Sequence, residues 1–538
     1  MKATLARLRR MARAKAKANR HTGTVILPHL ALRTRGRSTI QYATAYFRNK
    51  IRAPFSSPLA GEFDFLVEEP AQVRVPSQDK YELVAAIQDE LSHYHLYLSN
   101  FLTHPRYGEE AQAAFSRGDT LRPVGLREVS PGVYRFRVRG VVVGRRDLLA
   151  VLRGPNKDGP PPPRMKAPPD GTQRIFIVMP TRPDAPEVGD AEWYDFTPSR
   201  WTRRHPRIPL RGPIPVLLRP RRREPALAPQ YDRLYRDGVV RIGFLFGYDE
   251  RTHLTTKDAR AFWEVLTSPP GRRFTVADTG PYGYHGPGFG FSDPTGGNFR
   301  RLNFEGTSVF RRDSTSGAGP FAVRYRLASE PLRVGGLRAP GGTVFVNGRR
   351  VPAGKTVPVG TVVDRAVAAE IRLYNFDKAA PDLTSEDLIK RFVSVFRDND
   401  LIHYDGHANY GGGFYIGDQP DDILWAEDIG DHATSFDRGY QILSIGACHA
   451  AGYFADLFYN ELHPRKSPRN LDIIAAVNET AFDDSVQQGM ELVRALLQHK
   501  RPVKEDPPDY DQILEEQSRP ASFQAYIGVF GKPRRRTR

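Results

Sequence analysis

From about residue 236 onwards, short apolar runs alternate with segments of helical periodicity, and this alternation constrains the fold more than any other feature of the chain. The first run, residues 239–246, is interrupted only by Arg241 and Gly243, which is typical of a central strand in a parallel sheet. Alternating strands and helices predict an α/β domain, here at 236–530, with helices on both faces of its sheet. Further strands are predicted at 370–376, 400–404, 440–445, 471–477 and 522–529, and helices at 255–266, 385–396, 450–460 and 483–498.

A glycine-rich segment at 279–365 interrupts this alternation. It contains several short strand patterns, one of which ends in the pair Asn347-Gly348. An Asn-Gly pair favours the tight turn of a β-hairpin. We therefore predict that 279–365 is a β-rich insertion within the α/β domain.

Residues 62–152 are predicted to form a smaller α+β domain. Its clearest element is a helix at 80–102, because apolar residues recur there at helical spacing. A half-buried strand follows, in which apolar residues alternate with arginines; the apolar members are Tyr134, Phe136 and Val138, and the arginines are Arg135, Arg137 and Arg139. We interpret the arginine side of this strand as a solvated sheet face rather than as a binding stripe.

The region 153–235 is rich in proline and arginine and is interpreted as a linker. Prolines at 160–163 and 168–169 indicate a stiff stretch, and a short apolar strand is expected at 175–179. Residues 203–229 are predicted to be an exposed connector. Their arginines make this connector a candidate cleavage site for any protease that cuts after basic residues.

Basic residues are concentrated at the two ends of the chain. The net charge is +18, yet the first acidic residue is Glu62; residues 1–61 contain 14 Lys or Arg, and residues 531–538 contain five more. Between these ends, basic and acidic residues nearly balance. We therefore predict a basic N-terminal arm at 1–61 and a basic C-terminal tail at 531–538. Three interpretations stay open: solvated tails, electrostatic tethers to nucleic acid, another polyanion or a membrane surface, and a targeting or removable segment.

The chain contains one cysteine, Cys448. A single cysteine excludes an internal disulfide framework and a cysteine-based zinc finger. This usage fits a reducing compartment, and no secretory signal is recognised, so we expect a cytoplasmic protein, with secretion or a removed N-terminal segment as alternatives. No apolar run approaches the roughly 18 residues that a membrane helix needs, so no transmembrane segment is predicted.

Two reactive side chains follow two of the predicted strands. His407 comes after the strand at 400–404, and Cys448 comes after the strand at 440–445. Functional groups of open α/β sheets gather at the carboxyl ends of strands. Both an imidazole and the start of the helix predicted at 450–460 favour the thiolate that nucleophilic attack requires. We predict that Cys448 is a nucleophile, that His407 transfers protons, and that the backbone N–H groups of Ala408 and Cys448 form an oxyanion hole.

The run Tyr404-Asp405-Gly406-His407-Ala408, followed by Ile445-Gly446-Ala447-Cys448, resembles the caspase–gingipain clan of cysteine peptidases, and within it the gingipain-like branch. The resemblance implies a caspase-like three-layer domain with a mostly parallel central sheet. By position it assigns His407 as general acid and base and Cys448 as nucleophile, with no cofactor. Members of the clan usually have glycine after the histidine. Ala408 stands there in this chain, and its methyl group adds bulk beside the predicted oxyanion hole.

Other polar residues near this pair have alternative roles. His403 lies on the strand itself and is interpreted as a packed or bridging side chain, and His449 is expected to point away from the thiol. With Asp405, His407 and Cys448 they also form an alternative, less favoured zinc-binding set. An acidic stretch is interpreted as a solvated loop, with a pocket for a basic substrate side chain or a structural cation as alternatives; its members are Asp421, Asp422, Glu427, Asp428 and Asp431.

We expect a cysteine endopeptidase that acts on a protein or peptide substrate through a thioester intermediate. The clan usually cleaves after one selected residue, P1, and we interpret that residue as basic. The arginine-rich arms and the 203–223 connector then become candidate sites of self-processing. The basic ends are expected to contact nucleic acid or another polyanion. The alternative, from a different functional class, is an inactive caspase-like scaffold whose arms bind nucleic acid or a protein partner.

Overall fold

The fold is described by a computed structural model. It describes residues 38–103, 114–152, 171–181, 196–224, 227–234, 239–247, 302–304, 308–312, 322–328, 331–333, 345–346, 349–350, 362–366, 368–375, 385–409, 413–415, 423–425, 428–436, 439–478, 480, 488–489, 491–493, 495–496, 509–518 and 526–531. Every helix within these ranges is too short or too polar to cross a lipid bilayer.

The described residues form the following elements. The helices are α1 (Thr39–Arg48), α2 (Lys80–Thr103), α3 (Leu148–Leu152), α4 (Pro198–Arg204), α5 (Tyr231–Leu234), α6 (Ser385–Asp398), α7 (Ala450–Tyr453), α8 (Ala455–Leu462) and α9 (Tyr510–Ser518), with short 3-10 turns at Gly118–Thr120 and Asp428–Ser435. The strands are β1 (Phe55–Ser56), β2 (Ala60–Val67), β3 (Ala71–Arg74), β4 (Ala114–Ser116), β5 (Arg122–Ser130), β6 (Val133–Arg145), β7 (Gln173–Pro180), β8 (Leu210–Pro220), β9 (Val239–Phe246), β10 (Leu302–Phe304), β11 (Ser308–Arg312), β12 (Ala322–Ala328), β13 (Pro331–Arg333), β14 (Phe345–Val346), β15 (Arg349–Arg350), β16 (Val362–Ala366), β17 (Ala368–Asn375), β18 (Leu401–Asp405), β19 (Ala408–Asn409), β20 (Gly413–Tyr415), β21 (Ile423–Trp425), β22 (Gln441–Gly446), β23 (Leu471–Ala476) and β24 (Ile527–Phe530).

The chain divides into two compact units. The first contains residues 1–53, 59–223 and 451–464, and the second contains 54–58, 224–450 and 465–538. This division differs from the predicted one, which ended the first domain at 152 and began the second at 236. The difference arises because β7 and β8, in the predicted linker, pair with the sheet of the first unit.

The first unit is built on a seven-stranded antiparallel sheet in the order β3-β6-β2-β8-β7, with β4 and β5 also paired to β6. The predicted helix at 80–102 is confirmed as α2, whose apolar side chains are buried at helical spacing. The predicted alternation along β6 is also confirmed, because Phe136 and Val138 are buried while Arg135 and Arg137 are exposed. One face of the sheet therefore belongs to the core, and the other presents arginines.

The prediction of an exposed connector at 203–229 is wrong for residues 210–220, which form β8 between β2 and β7. Ile214, Val216 and Leu218 are fully buried at alternate positions. Pro215 between them, and the prolines and arginines on either side, hid this period-two pattern from the sequence. Pro215 fits because its carbonyl accepts the Glu68 N–H at 2.9 Å where the pairing with β2 ends, so its missing donor costs the ladder nothing. A buried strand is also a poor site for self-processing.

The prediction of a basic arm at 1–61 is likewise wrong from residue 38 onwards. Ser38 caps α1 in a capping box with Gln41. Tyr42, Tyr46 and Phe47 of α1 are buried, because their spacing puts three aromatic rings on one side of the helix. The remainder of the arm, residues 1–37, and the tail from 532 onwards lie outside the described residues.

The second unit is an α/β domain with a ten-stranded sheet in the order β1-β24-β23-β22-β18-β9-β17-β12-β11-β10. Its five central strands, from β23 to β17, are parallel. Antiparallel strands flank them on both sides. The predicted strands of the α/β domain are confirmed, with the last one shortened to 527–530 among the described residues. The predicted parallel strands thus form the centre of a mixed sheet, whose antiparallel flanks were not predicted.

Helices cover both faces of the central strands. On one face, the ring of Phe392 in α6 lies 6.2 Å from that of Tyr404 in β18. On the other face, a Cβ added to Gly489 would lie 2.8 Å from the ring of His403. The helical residues around 489 therefore pack against His403, which is adjacent to Tyr404 in β18. Adjacent residues of a strand face opposite ways. Around β18, the sheet is therefore the middle of three layers.

The β-rich insertion is confirmed where the structure describes it. Strands β10, β11 and β12 extend the main sheet, while β13 pairs with β16 and β14 with β15. The pairing of β14 with β15 joins the residues that flank Asn347-Gly348, as the predicted hairpin requires. The helix predicted at 255–266 lies outside the described residues.

Candidate active site

The two predicted catalytic residues leave the sheet from adjacent parallel strands at the same level. Strand β18 pairs with β22 in a register that aligns Tyr404 with Ile445 and Asp405 with Gly446. His407 lies two residues beyond Asp405, and Cys448 lies two residues beyond Gly446. Neighbouring strands are about 4.8 Å apart. The register therefore starts the histidine loop and the cysteine loop at the same level of the carboxyl edge of the parallel sheet.

This edge also contains the point where the strand order reverses. Among the central strands, β9 comes first in the chain, β17 lies on one side of it and β18 on the other. Open α/β sheets bind ligands in the crevice at such a reversal, outside the carboxyl ends of the strands. The Gly247 N–H donates to the Asp405 carbonyl at 2.8 Å, which ties the end of β9 to the start of the His407 loop.

The loop that carries His407 is held by the buried hydroxyl of Tyr404. That hydroxyl donates to the His407 carbonyl at 2.9 Å, and burial raises the pKa of Tyr404 well above its ordinary value, so it remains a donor. Gly406 permits close packing in this loop, because a Cβ at that position would lie 2.6 Å from the Tyr404 hydroxyl. The imidazole of His407, next in the chain, is only partly buried.

The thiol of Cys448 is partly buried and lies against Thr480. The Thr480 N–H points at the sulfur at 3.5 Å, and the threonine carbonyl and hydroxyl oxygens lie 3.8 and 3.9 Å from it. A backbone N–H donor stabilises negative charge on a sulfur. Thr480 follows β23, which is on the opposite side of β22 from β18. The sulfur therefore lies on the β23 side of β22, whereas the strand that precedes His407, β18, lies on the other side.

The residue after the nucleophile adopts an unusual backbone conformation. His449 has φ of 53°, in the left-handed region that non-glycine residues seldom occupy. Its backbone N–H donates to the Asn478 carbonyl at 3.0 Å, and its Nδ1 lies 3.0 Å from the Val477 carbonyl. The side chain is buried. His449 thus turns towards the end of β23, and that it points away from the thiol stays a prediction.

His403 is a packed side chain, as predicted. It is buried on β18, and its Nδ1 lies 3.0 Å from the Ser444 hydroxyl on β22. Because His403 and His449 are held by different neighbours, the predicted alternative zinc set is not assembled. Within the described part of the chain, no group of three or more His, Cys, Asp or Glu side chains is arranged to hold a metal ion.

Other predictions for the site have mixed outcomes. The helix predicted at 450–460 is divided at Phe454 into α7 and α8, so only four helical residues follow the cysteine loop, and their dipole contributes little to the thiolate. Ala408 lies in β19, paired with Phe414 of β20. An oxyanion hole from the N–H groups of Ala408 and Cys448 remains a prediction. The side chains of the acidic stretch lie outside the described residues.

Sequence reasoning missed the contact of Cys448 with Thr480. The threonine lies 32 residues beyond the cysteine, between a predicted strand and a predicted helix, and no local pattern links it to the thiol. Comparison with known proteins adds no assignment: the chain matches no protein-family model, no curated protein and no solved structure.

Proposed function

We propose that the protein is a cysteine endopeptidase of the caspase–gingipain type, in which Cys448 is the nucleophile and His407 transfers protons. The observation that carries this proposal is the register of β18 against β22, which brings both residues to the same edge at the same offset. The parallel sheet centre and the helical layers on both sides of β18 support it, because they are the architecture that the sequence resemblance implies.

In the proposed reaction, the Cys448 sulfur attacks the carbonyl carbon of the scissile peptide bond. The carbon–nitrogen bond of the tetrahedral intermediate then breaks, and the imidazolium of His407 gives its proton to the leaving amine. Water, deprotonated by His407, attacks the thioester and releases the acid with the regenerated thiol. The N–H groups of Ala408 and Cys448 are the proposed donors to the oxyanion.

The contact with Thr480 adds a conformational step to this scheme. The Thr480 N–H holds the sulfur on the β23 side of β22. Attack near His407 therefore requires rotation of the Cys448 side chain about χ1, between staggered rotamers. In the resting rotamer the Thr480 N–H donates to the sulfur and the Thr480 carbonyl accepts from the thiol, and the reaction begins with the rotamer directed at the imidazole.

Digestion of a peptide library tests this function. We expect the unmodified protein to cleave the library after one residue type, a basic one in our proposal, and Cys448→Ala and His407→Ala to leave it intact. Circular dichroism and thermal melting of the variants establish that they are folded. Identical fragments from the unmodified protein and Cys448→Ala would contradict the proposal, because the cleavage would then come from another source.

The second candidate is an inactive scaffold with the same fold. Two observations favour it: the sulfur contacts the flank of β22 away from the histidine strand, and alanine replaces the usual glycine at 408. A scaffold would leave the library uncut. Its Cys448 thiol would also react with iodoacetamide at the rate of an ordinary, partly buried cysteine.

A further inference from the structure

The outer face of the sheet in the first unit carries a group of arginines on three adjoining strands. All six are exposed; they are Arg74 on β3, Arg122 and Arg127 on β5, and Arg135, Arg137 and Arg139 on β6. We call this group the arginine face. Alternate residues of a strand lie on one side and are about 6.8 Å apart, so the three arginines of β6 form a straight row with regular spacing.

Strand register places like charges directly opposite each other on this face. Arg135 pairs with Arg127, and Arg139 pairs with Arg122. Like charges at directly opposed positions of a sheet destabilise it. The repulsion affects Arg122: burial and, after it, the charge of Arg139 lower its pKa. The fold therefore retains a charge arrangement that a bound anion would stabilise.

The neighbouring strands of the same sheet show how arginines are otherwise accommodated. On β7, the Nε of Arg174 lies 2.6 Å from Glu68. After β8, Arg221 lies 3.2 Å from Asp64. Within the described residues, the six arginines of the arginine face form no ion pair with a carboxylate. Arg174 and Arg221 are thus neutralised by direct ion pairs, whereas at Arg122 the charge of Asp64 offsets part of the repulsion without a direct ion pair.

The chemistry of the face fits phosphodiester groups. Its cations are all arginines, whose planar guanidinium forms two parallel hydrogen bonds with a phosphate. The row along β6 has a spacing comparable with that of successive phosphates along a nucleic-acid strand. A membrane surface is a poorer fit, because the only large apolar side chain exposed among the described residues is Val129, which leaves nothing to insert among lipid chains.

We infer that the arginine face binds the phosphodiester backbone of a nucleic acid without reading its sequence. This inference replaces the interpretation of the arginine side of β6 as only a solvated face. Its residues are different from those of the basic chain ends, and it does not depend on the proposed peptidase activity. Phosphate contacts supply affinity that falls steeply with salt, while specificity requires contacts with base edges. Regularly spaced arginines on one face of a sheet provide phosphate contacts.

The test is fluorescence anisotropy of the full chain with a labelled single-stranded oligonucleotide of mixed sequence, over a series of salt concentrations. The variant is the triple substitution Arg135→Gln, Arg137→Gln and Arg139→Gln. The control is the triple substitution Arg48→Gln, Arg203→Gln and Arg207→Gln, which removes the same charge from exposed positions of the first unit. Both triple variants leave residues 1–37 and 531–538 unchanged.

We expect the arginine-face variant to bind at least about tenfold more weakly, with the slope of log K against log salt reduced by roughly 2. The control variant should change little. The arginine-face variant should also melt no lower than the unmodified protein, because it loses repulsion rather than a contact. Equal weakening of oligonucleotide binding in both variants would overturn the inference. Binding of the same two variants to phosphatidylserine vesicles and to polyglutamate is measured in parallel. The inference would also be overturned if the arginine-face variant lost affinity for one of these two anions and kept its affinity for the oligonucleotide.

Discussion

The histidine at position 95 makes the stability of the first unit depend on pH in a calculable way. His95 lies on α2, where its Nδ1 contacts the Ser116 hydroxyl and its ring packs edge-on against Phe115 at 5.6 Å and Tyr453 at 6.0 Å. Burial lowers the pKa of His95 from 6.5 to about 4, against a smaller opposing effect of Asp119. The folded protein therefore holds this imidazole neutral.

The sign and size of the effect follow from proton linkage. Because the folded pKa of His95 is depressed, its contribution to folding is fully present above pH 6.5 and is lost as the pH falls towards 4. At pH 5, the unfolded histidine is almost fully protonated and the folded one only about one tenth, which costs about 2 kcal/mol of the free energy of unfolding. For a unit of this size, that lowers the melting temperature by roughly 4–8 °C.

The assay compares urea denaturation of the unmodified protein and His95→Asn at pH 7.5 and pH 5. Asparagine places an amide group near the position of Nδ1 and does not titrate. We expect the unmodified protein to lose about 2 kcal/mol more than the variant between the two pH values. Other titrating groups affect both proteins alike. Equal losses would refute the claim that this imidazole is buried in its neutral form.

Two further predictions concern buried contacts. Arg117 is fully buried between Glu62 and Asp456, with its Nε 2.8 Å from the latter. Arg117→Met should cost about 3–5 kcal/mol in urea denaturation, because the buried Asp456 loses its ion-pair partner, whereas Glu62 keeps Arg52 at 3.2 Å. A loss below about 1 kcal/mol would contradict this. Gly528 on β24 has no room for a side chain, since a Cβ there would lie 2.0 Å from the ring of Phe55. Gly528→Ala should therefore lower the free energy of unfolding in urea by about 1–3 kcal/mol. Gly61→Ala is the control and should not destabilise, because a Cβ there would lie 3.8 Å from its nearest atom, Cγ of Arg146.

The parallel centre of the second unit was predictable because its strands are short runs in which apolar residues predominate. Leu401–Asp405 and Gln441–Gly446 are buried at every position, as strands covered on both faces must be. The sequence also indicated that His407 and Cys448 follow adjacent strands. It gave no register, and register decides whether the two residues leave the sheet at the same level.

The elements that sequence reasoning missed share a physical cause. In β8, one intervening proline and the flanking prolines and arginines concealed a buried alternation. In α1, the basic composition of the surrounding segment drew attention away from three aromatic residues on one side of a helix. Composition describes a segment as a whole, whereas folding depends on which side of an element each residue occupies. Contacts between remote residues, such as that of Cys448 with Thr480, leave no local pattern at all.

The most direct test of the proposed dyad is the pH dependence of iodoacetamide alkylation. Cys448 is the only cysteine, so the mass gain of the intact protein reports a single thiol. We predict that the alkylation rate of the unmodified protein rises at a pH well below the ordinary cysteine pKa of about 8.5. In His407→Ala this rise should move to higher pH. Thr480→Ala retains its backbone N–H and should give the same profile as the unmodified protein. Superimposable profiles for the unmodified protein and His407→Ala would contradict the claim that the imidazole and the sulfur act together.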